Sequence, residues 1–343
     1  MRTTILSLLF FSLPSVLTAD DQVRGAVERA LKRIEQGAVN YPKHRQCFSC
    51  HHQAMSIFST AAARDRGFTI DEELLKRQID FSLQSFAKRE KIAKGEGVGG
   101  ANATVTYALQ TFATVDHPRD ETIAALVEFL LVRQRRDGAW PQVSNRPPTE
   151  AGIFTNNALA LAVLKKYRPT SQVDSELTKR IDNAISKGRT WLLENEPSTT
   201  EDKVFRLRGL VWGGCDADEI KTAQELVLKE QRPDGSWAQL ADLGGDAYAT
   251  ATVLVALKHS GVATDHPAYQ KGVRNLLASQ KEDGSWIVET RSRPIQIFFD
   301  NGDAGGTSQF ISFAATNWAV MALLETIPRS RPSSSTNNGE TGR

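Results

Sequence analysis

A seven-residue segment that occurs three times constrains the fold of this chain more than any other feature. The copies read QRRDGAW at 134–140, QRPDGSW at 231–237 and QKEDGSW at 280–286. Trp237 and Trp286 lie 49 residues apart, and Trp140 and Trp237 lie 97 apart, close to twice that spacing. A period of 45 to 50 residues without strand-like alternation is typical of stacked helix pairs.

The residues of each copy explain why a helix should stop there. The glycine can adopt the left-handed backbone conformation that ends a helix, and the aspartate before it can bond nearby backbone amides. The tryptophan offers a large apolar body with one N–H donor. Alanine-rich apolar helices alternate with amphipathic ones along the chain, which predicts six pairs of one outer and one inner helix. We place the pairs at 22–37 with 50–66, 73–90 with 101–115, 119–134 with 153–167, 178–195 with 202–213, 217–231 with 246–260, and 266–280 with 308–325.

These segments resemble the QW repeats of the squalene-hopene cyclase and prenyltransferase superfamily. The resemblance covers roughly residues 100–325. It implies an all-α (α/α)6 toroid, in which six inner helices run parallel around a funnel-like cavity. We assign residues 20–328 to this domain.

The resemblance also indicates where a cyclase would carry its acid. In class II cyclases the middle aspartate of a D-x-D-D run donates the initiating proton, and the run leads into a T-A-x-x-x-x-A-L helix. Aligned on Thr250 and Ala251, that run falls on DAYA, with Asp246 first and Tyr248 in the donor's position. A phenol is too weak an acid to protonate an alkene. Asp246 and Tyr248 are therefore weak catalytic candidates, and the sequence leaves open whether the protein is an enzyme.

The two ends of the chain differ from the repeats. Residues 1–19, MRTTILSLLFFSLPSVLTA, combine a positive charge, a short apolar run and small residues, which is typical of a secretory signal peptide. We predict cleavage near Ala19 and export to the periplasm or the medium, with no transmembrane segment in the mature chain but with contact to a membrane surface left open. Residues 329–343 are rich in Ser, Asn and Gly, which predicts a disordered tail.

The composition argues against nucleic acid as a partner. The 42 Lys and Arg residues are interspersed with 40 Asp and Glu residues instead of forming a basic stripe.

The segment CFSCH, residues 47–51, has the form of a haem c attachment sequence. In such a site the thiols of Cys47 and Cys50 would bond the haem, and His51 would bind its iron. One alternative is a Cys47–Cys50 disulfide, which the same exported compartment favours. Another is a zinc site that adds two of the three nearby histidines to the thiols, and a third is a chance match. A second iron ligand would come from His44, His52, Met321 or water.

Polar residues near the starts of the inner helices are candidates for the cavity mouth. Each could equally cap a helix or bond a neighbouring helix. They are Asn102, Thr104, Asn156, Asn157, Asp246, Tyr248, Gln309 and Asn317. The long connection at 288–307 could form a lid that carries Phe298 and Phe299.

Three functions follow as hypotheses. The first is a haem-bearing redox protein, with a redox partner, that acts on or senses an apolar ligand such as an isoprenoid. The second is a non-catalytic toroid that binds an isoprenoid or a protein and carries the disulfide. The third is a divergent terpenoid cyclase or isomerase. Toroidal polysaccharide lyases and glycosidases also remain, with Asp246, Asp300 and Asp303 as their carboxylates.

Overall fold

The structure, a computed structural model, describes residues 18–170, 175–294 and 297–330. Helices follow one another along the described chain with short connections. They are α1 (Ala19–His44), α2 (Met55–Arg64), α3 (Glu72–Gln84), α4 (Arg89–Ala93), α5 (Ala101–Thr114), α6 (Glu121–Arg133), α7 (Ile153–Lys166), α8 (Ser175–Glu194), α9 (Thr200–Gly213), α10 (Ala217–Leu228), α11 (Ala247–His259), α12 (Pro267–Ser279) and α13 (Gln309–Leu324). A π-helical turn, Cys50–Ala54, leads into α2, and a 3-10 turn, Gly306–Ser308, leads into α13.

Six of these helices form a closed inner ring. The helices α2, α5, α7, α9, α11 and α13 each pack against the next, and α13 packs against α2. At that last contact the Ser59 hydroxyl donates to Asn317 Oδ1 at 2.6 Å. Inner helices such as α11 are buried on nearly every side, which explains their alanine-rich, apolar sequences. The prediction of an all-α (α/α)6 toroid is confirmed.

The three repeated segments form the same corner between one outer helix and the next. In each corner the fully buried tryptophan donates its indole N–H to a carbonyl in the last turn of the preceding outer helix. These bonds are Trp140 to Leu130 at 2.8 Å, Trp237 to Val227 at 2.9 Å and Trp286 to Leu276 at 2.8 Å. The glutamine reaches forward to a carbonyl of the following outer helix. These bonds are Gln134 to Ala184 at 2.9 Å, Gln231 to Ala268 at 2.7 Å and Gln280 to Ala26 at 2.8 Å.

The third corner closes the outer layer. The outer helix that follows it in space is α1, because Gln280 donates to Ala26 and Gly284 packs against the backbone of Arg29. The last corner of the chain thus contacts the first outer helix, α1. Each of the other two corners contacts the next outer helix in the sequence in the same way. A ring closed in this way has no terminal face to cap.

Two segments cover the ring at the starts of the inner helices. Residues 141–150 lie there with residues 287–294 and 297–303, and the Ser292 hydroxyl donates to the Pro147 carbonyl at 3.0 Å. The predicted lid is therefore a cover over this end. Phe298 is 55% exposed, whereas Phe299 stacks on His44 with ring centroids 4.9 Å apart.

Some predictions concern residues that the structure leaves out. Residues 1–17 of the predicted signal peptide and 331–343 of the predicted tail lie outside the described ranges. The first residues of that predicted tail pack on the ring, since the Ser330 amide donates to the Asp65 carbonyl at 2.9 Å. No helix within the described ranges is long and apolar enough to cross a membrane.

Candidate functional site

A cavity of about 480 Å³ lies inside the ring, within the range of roughly 300–1,000 Å³ that is usual for small-molecule sites. It opens where the inner helices end, beside Arg64, Thr114 and His259. The predicted mouth lies instead at the starts of the inner helices, where residues 141–150, 287–294 and 297–303 form a cover and none of the residues predicted for the mouth lines the cavity. Sequence alone could not identify the open end, since these connections have no periodic pattern.

The cavity wall is aromatic and aliphatic, and its mouth is charged. The wall residues are Phe58, Tyr107, Leu159, Phe205, Val255, Trp318 and Met321. The acids at the mouth already have basic partners. These pairs are Asp65 with Arg64 at 3.7 Å, Glu325 with Arg66 at 3.0 Å and Asp116 with Lys166 at 2.6 Å.

The side of helix α9 that faces the ring axis carries both charged and apolar residues. Glu201, Phe205 and Arg208 are spaced four and three residues apart and therefore lie on one side of the helix. Tyr248 and Val255 share a side of α11 in the same way, seven residues apart. Glu201 and Tyr248 thus lie deeper along the axis than the cavity residues Phe205 and Val255.

Arg208 is a buried cation held among aromatic rings. Its guanidinium carbon lies 4.4 Å from the ring centroid of Trp212, 5.1 Å from that of Phe205 and 5.2 Å from that of Trp318. The described residues provide it with neither a salt bridge nor a hydrogen bond, and the residue is 7% exposed. Burial lowers the pKa of Arg208 to about 10, so the side chain is charged at neutral pH.

Glu201 is a buried carboxyl beside this cation. It is 5% exposed, and its Oε1 accepts a bond of 3.1 Å from the Tyr248 hydroxyl, which also lies 3.2 Å from Thr149 Oγ1. Its Oε2 has no hydrogen-bond partner in the described part of the chain. Burial outweighs both the Tyr248 bond and the attraction of Arg208 and raises the pKa of Glu201 to about 8. Glu201 is therefore mostly protonated at neutral pH.

Sequence reasoning missed both Glu201 and Arg208. The signal that could have found them is an acid and an arginine on one face of TEDKVFRLRGLVWG, a segment otherwise placed as an inner helix. No copy of the repeated segment precedes α9. The repeats therefore could not be used to align α9 with the other inner helices.

Some of the residues proposed for the mouth bond the segments of the covered end, and others bond within their own helices. Asp246 caps α11 by accepting from the Ala249 amide at 2.9 Å, and it accepts from Gln239 at 3.0 Å. Tyr248 is fully buried and bonds Glu201. The amides of four others donate to carbonyls at 2.7 to 2.9 Å: Asn102 to Pro141, Asn157 to Ile153, Gln309 to Phe299 and Asn317 to Phe313. None of the eight lines the cavity.

The CFSCH segment lies at the covered end, before the first inner helix. Ser49 caps the π-helical turn, and its hydroxyl lies 3.1 Å from His51 Nδ1. The His51 ring stacks on Phe310, with centroids 4.8 Å apart. Cys47 is exposed and Cys50 is buried. Burial, followed by the neighbouring Glu150 carboxylate, raises the pKa of the Cys50 thiol well above its usual value.

The structure bears on the alternatives for this segment. All three cysteines are free thiols, so the structure lacks the Cys47–Cys50 disulfide. Among the residues described, no group of three His, Cys, Asp or Glu side chains is placed to hold a metal.

Two of the proposed second iron ligands are occupied or distant. His52 Nε2 lies 2.7 Å from Asp303 Oδ2, and that contact fastens the cover to the ring. Met321 lies eleven residues beyond Phe310 on α13, about 16 Å along the helix axis, and lines the cavity.

Comparisons with known proteins agree with this architecture. Residues 199–338 match the family model of the squalene-hopene cyclase C-terminal domain. The chain is 34% identical over 107 residues to the squalene-hopene cyclase of Zymomonas mobilis, which is 31% of this chain and 15% of that enzyme. It is 33% identical over 114 residues to lanosterol synthase erg7A of Aspergillus fumigatus, 32% of this chain and 14% of that enzyme. The chain thus matches a small part of the length of these cyclases.

Solved structures share the fold at low sequence identity. The terpene cyclase MstE from Scytonema superposes with a TM-score of 0.59 at 16% identity, over 91% of this chain and 99% of that one. A variant of it was solved with geranylgeranyl dihydroxybenzoate, its substrate. A family 88 glycosyl hydrolase from Bacteroides vulgatus superposes with a TM-score of 0.57 at 12% identity, over 88% and 99% of the two chains.

The fold is therefore shared by enzymes of different chemistry, and the family match over residues 199–338 is to the cyclases. The described chain is an (α/α)6 toroid, and residues 199–338 are similar to the C-terminal domain of squalene-hopene cyclases.

Proposed function

We propose that this protein binds an apolar small molecule of isoprenoid type in its central cavity. The observation that carries the proposal is the closed ring around a cavity of about 480 Å³ whose lining includes Phe58, Phe205, Trp318 and other apolar side chains. Concave apolar sites with a few polar groups are the usual form of small-molecule sites. The geranylgeranyl compound bound by the MstE variant supports a ligand of this class.

The proposed role is binding, without cyclisation of an alkene. Tyr248, in the position of the cyclase acid, is a phenol, and burial raises its pKa well above the usual value. Glu201 holds its proton with a pKa of about 8, so it is a weaker acid than an ordinary carboxyl. Neither group has the acidity that protonation of an isolated alkene requires.

A titration with farnesol tests this proposal. Farnesol should change the tryptophan fluorescence and saturate at a stoichiometry of one, because Trp318 lies in the cavity wall. Ala113→Phe places a bulky ring in that wall and should weaken binding by about tenfold or more, whereas Ala87→Phe at an exposed position should leave the affinity unchanged. The absence of binding, or equal binding by Ala113→Phe, would contradict the proposal.

A second candidate function is redox chemistry, and we propose that Cys47, Cys50 and His51 hold a covalent haem c. The residues fit the group. Both thiols are free, and the Ser49 hydroxyl beside His51 Nδ1 leaves Nε2 of that ring for a metal, which is how protein ligands are usually oriented. A bound haem would supply one-electron transfer. Because Cys50 is buried, the bond to its thiol has to form before the ring closes over it.

Export and haem attachment can be measured together. The full chain, expressed in a host that matures c-type cytochromes, should lose residues 1–19 and gain the mass of one haem that survives denaturation. Cys47→Ser should weaken the attachment, and Cys215→Ser, in a separate segment, should have no effect. A colourless exported protein of unmodified mass would rule out the haem.

A further inference from the structure

Hydrogen-bond donors without acceptors surround the central cavity. Arg208 Nε, the Tyr107 hydroxyl and the Trp318 indole N–H are buried and have no partner within the described ranges. All three residues line the cavity. Buried polar groups in proteins are nearly always bonded, so three unbonded donors around one space indicate a missing acceptor.

The surrounding acids do not fill that role. The carboxylates at the mouth are paired with Arg64, Arg66 and Lys166. Glu201 is close enough to attract Arg208, but burial raises its pKa to about 8, so at neutral pH it adds another donor instead of a negative charge. The positive charge of Arg208 is therefore not balanced by the acids around the cavity.

An arginine in this position lowers the stability of the protein without a ligand. A buried charge without a partner is destabilising, and the aromatic rings of Phe205, Trp212 and Trp318 offset only part of that cost. The planar guanidinium binds a carboxylate through two parallel hydrogen bonds, a geometry that lysine cannot reproduce. Within the described residues the guanidinium has no hydrogen-bond partner, and its Nε atom is buried.

We propose that the ligand is an apolar chain that ends in a carboxylate, with the carboxylate bound by Arg208 and its apolar part against the wall that contains Phe58 and Val255. This inference rests on the proposed function and narrows its ligand to an isoprenoid acid. Tyr107 and Trp318 would donate to the same carboxylate. Alcohols and hydrocarbons of the same length would leave the cation unpaired and would bind less well.

Farnesoic acid and farnesol, which share one chain and differ in the oxygen group, test the inference by calorimetric titration. The wild-type protein should bind the acid about tenfold or more tightly than the alcohol. Arg208→Met keeps the apolar bulk and should abolish that preference, so that acid and alcohol bind with equal affinity. Arg208→Lys keeps the charge but cannot form two parallel hydrogen bonds to a carboxylate. It should therefore show an intermediate preference for the acid over the alcohol.

The matched control is Arg206→Met. Arg206 lies on the same helix but points away from the cavity, where its guanidinium donates to the Leu192 carbonyl at 3.0 Å. This variant should keep the preference for the acid.

The folding of the variants is a second readout. Because Arg208→Met removes an unpaired buried charge, the melting temperature of the ligand-free variant should equal or exceed that of wild type. A merely structural arginine would give the opposite result.

The outcomes separate the two proposals. Equal affinity of the wild-type protein for acid and alcohol, or an acid preference that survives Arg208→Met, would overturn the inference and leave the cavity as an apolar site. If neither compound binds, the proposed function itself fails.

Discussion

Replacement of Gly284 by alanine is expected to destabilise the protein by about 3 kcal/mol or more, because this glycine lies where the ring closes. Its φ is +88°, a conformation that side chains other than glycine rarely adopt. A Cβ atom there would lie 2.5 Å from the backbone carbonyl carbon and oxygen of Arg29. Backbone atoms cannot rotate away as a side chain can, so α1 would have to separate from the corner.

The matched control is Gly261→Ala. Gly261 has a φ of +100°, but a Cβ atom there would have no heavy atom within 4 Å. Its replacement should cost only the backbone strain, about 1–2 kcal/mol. Urea unfolding of the two variants measures the difference. Equal losses for Gly261→Ala and Gly284→Ala would mean that the last corner does not contact α1 and that the outer layer is not closed there.

Replacement of Glu201 by glutamine should change how stability depends on pH. The folded protein holds the Glu201 proton up to a pKa of about 8, whereas an unfolded chain releases it near 4.5. The stabilising contribution of this proton is therefore complete below pH 4.5 and is lost as pH rises through 8. Between pH 5 and 8 it should fall by about 1 kcal/mol for each pH unit. The groups whose charge or hydrogen bonds act on Glu201 are Tyr107, Asp202, Arg208, Tyr248 and Arg291.

The measurement is the free energy of unfolding at pH 5, 6, 7 and 8. Glu201→Gln keeps the shape and cannot titrate, so the decline with pH should be smaller in the variant, which should be the more stable protein at pH 8. Glu225→Gln, at an exposed position on α10, should keep the wild-type slope. A Glu201→Gln protein with the wild-type slope would show that the carboxyl is ionised and solvated, and it would remove the reason for calling Arg208 unbalanced.

The helices and corners were predictable because their causes are local. Each repeated segment contains an aspartate, a glycine and a tryptophan within seven residues. Wherever the segment occurs, these residues end one helix and set where the following loop begins. The alanine-rich helices indicated the inner layer for the same reason. Helix boundaries shifted where tertiary contacts act: α1 runs to His44 instead of residue 37, and Tyr41 on the added turn stacks on His52 with centroids 4.7 Å apart.

The site was less predictable because it depends on which end of the ring is open. That end is set by residues 141–150, 287–294 and 297–303. Their bonds include Ser292 to the Pro147 carbonyl at 3.0 Å and Arg291 to Gln239, in the loop before α11, at 2.7 Å. Polar residues at helix starts are needed for such bonds, so their presence could not distinguish a cavity mouth from a cover. Arg208 becomes notable only when the folded chain shows that it has no partner.

The most direct test of the account is to map where an isoprenoid acid binds. A farnesoic acid analogue with a diazirine on its chain can be irradiated with the full-length protein, and the labelled residues can be identified by peptide mass spectrometry. Labels are expected on the cavity wall, at Phe205, Trp318 and Met321, and they should be lost when unlabelled farnesoic acid is in excess. Labels confined to the outer helices, or to residues 45–58 at the covered end, would contradict it.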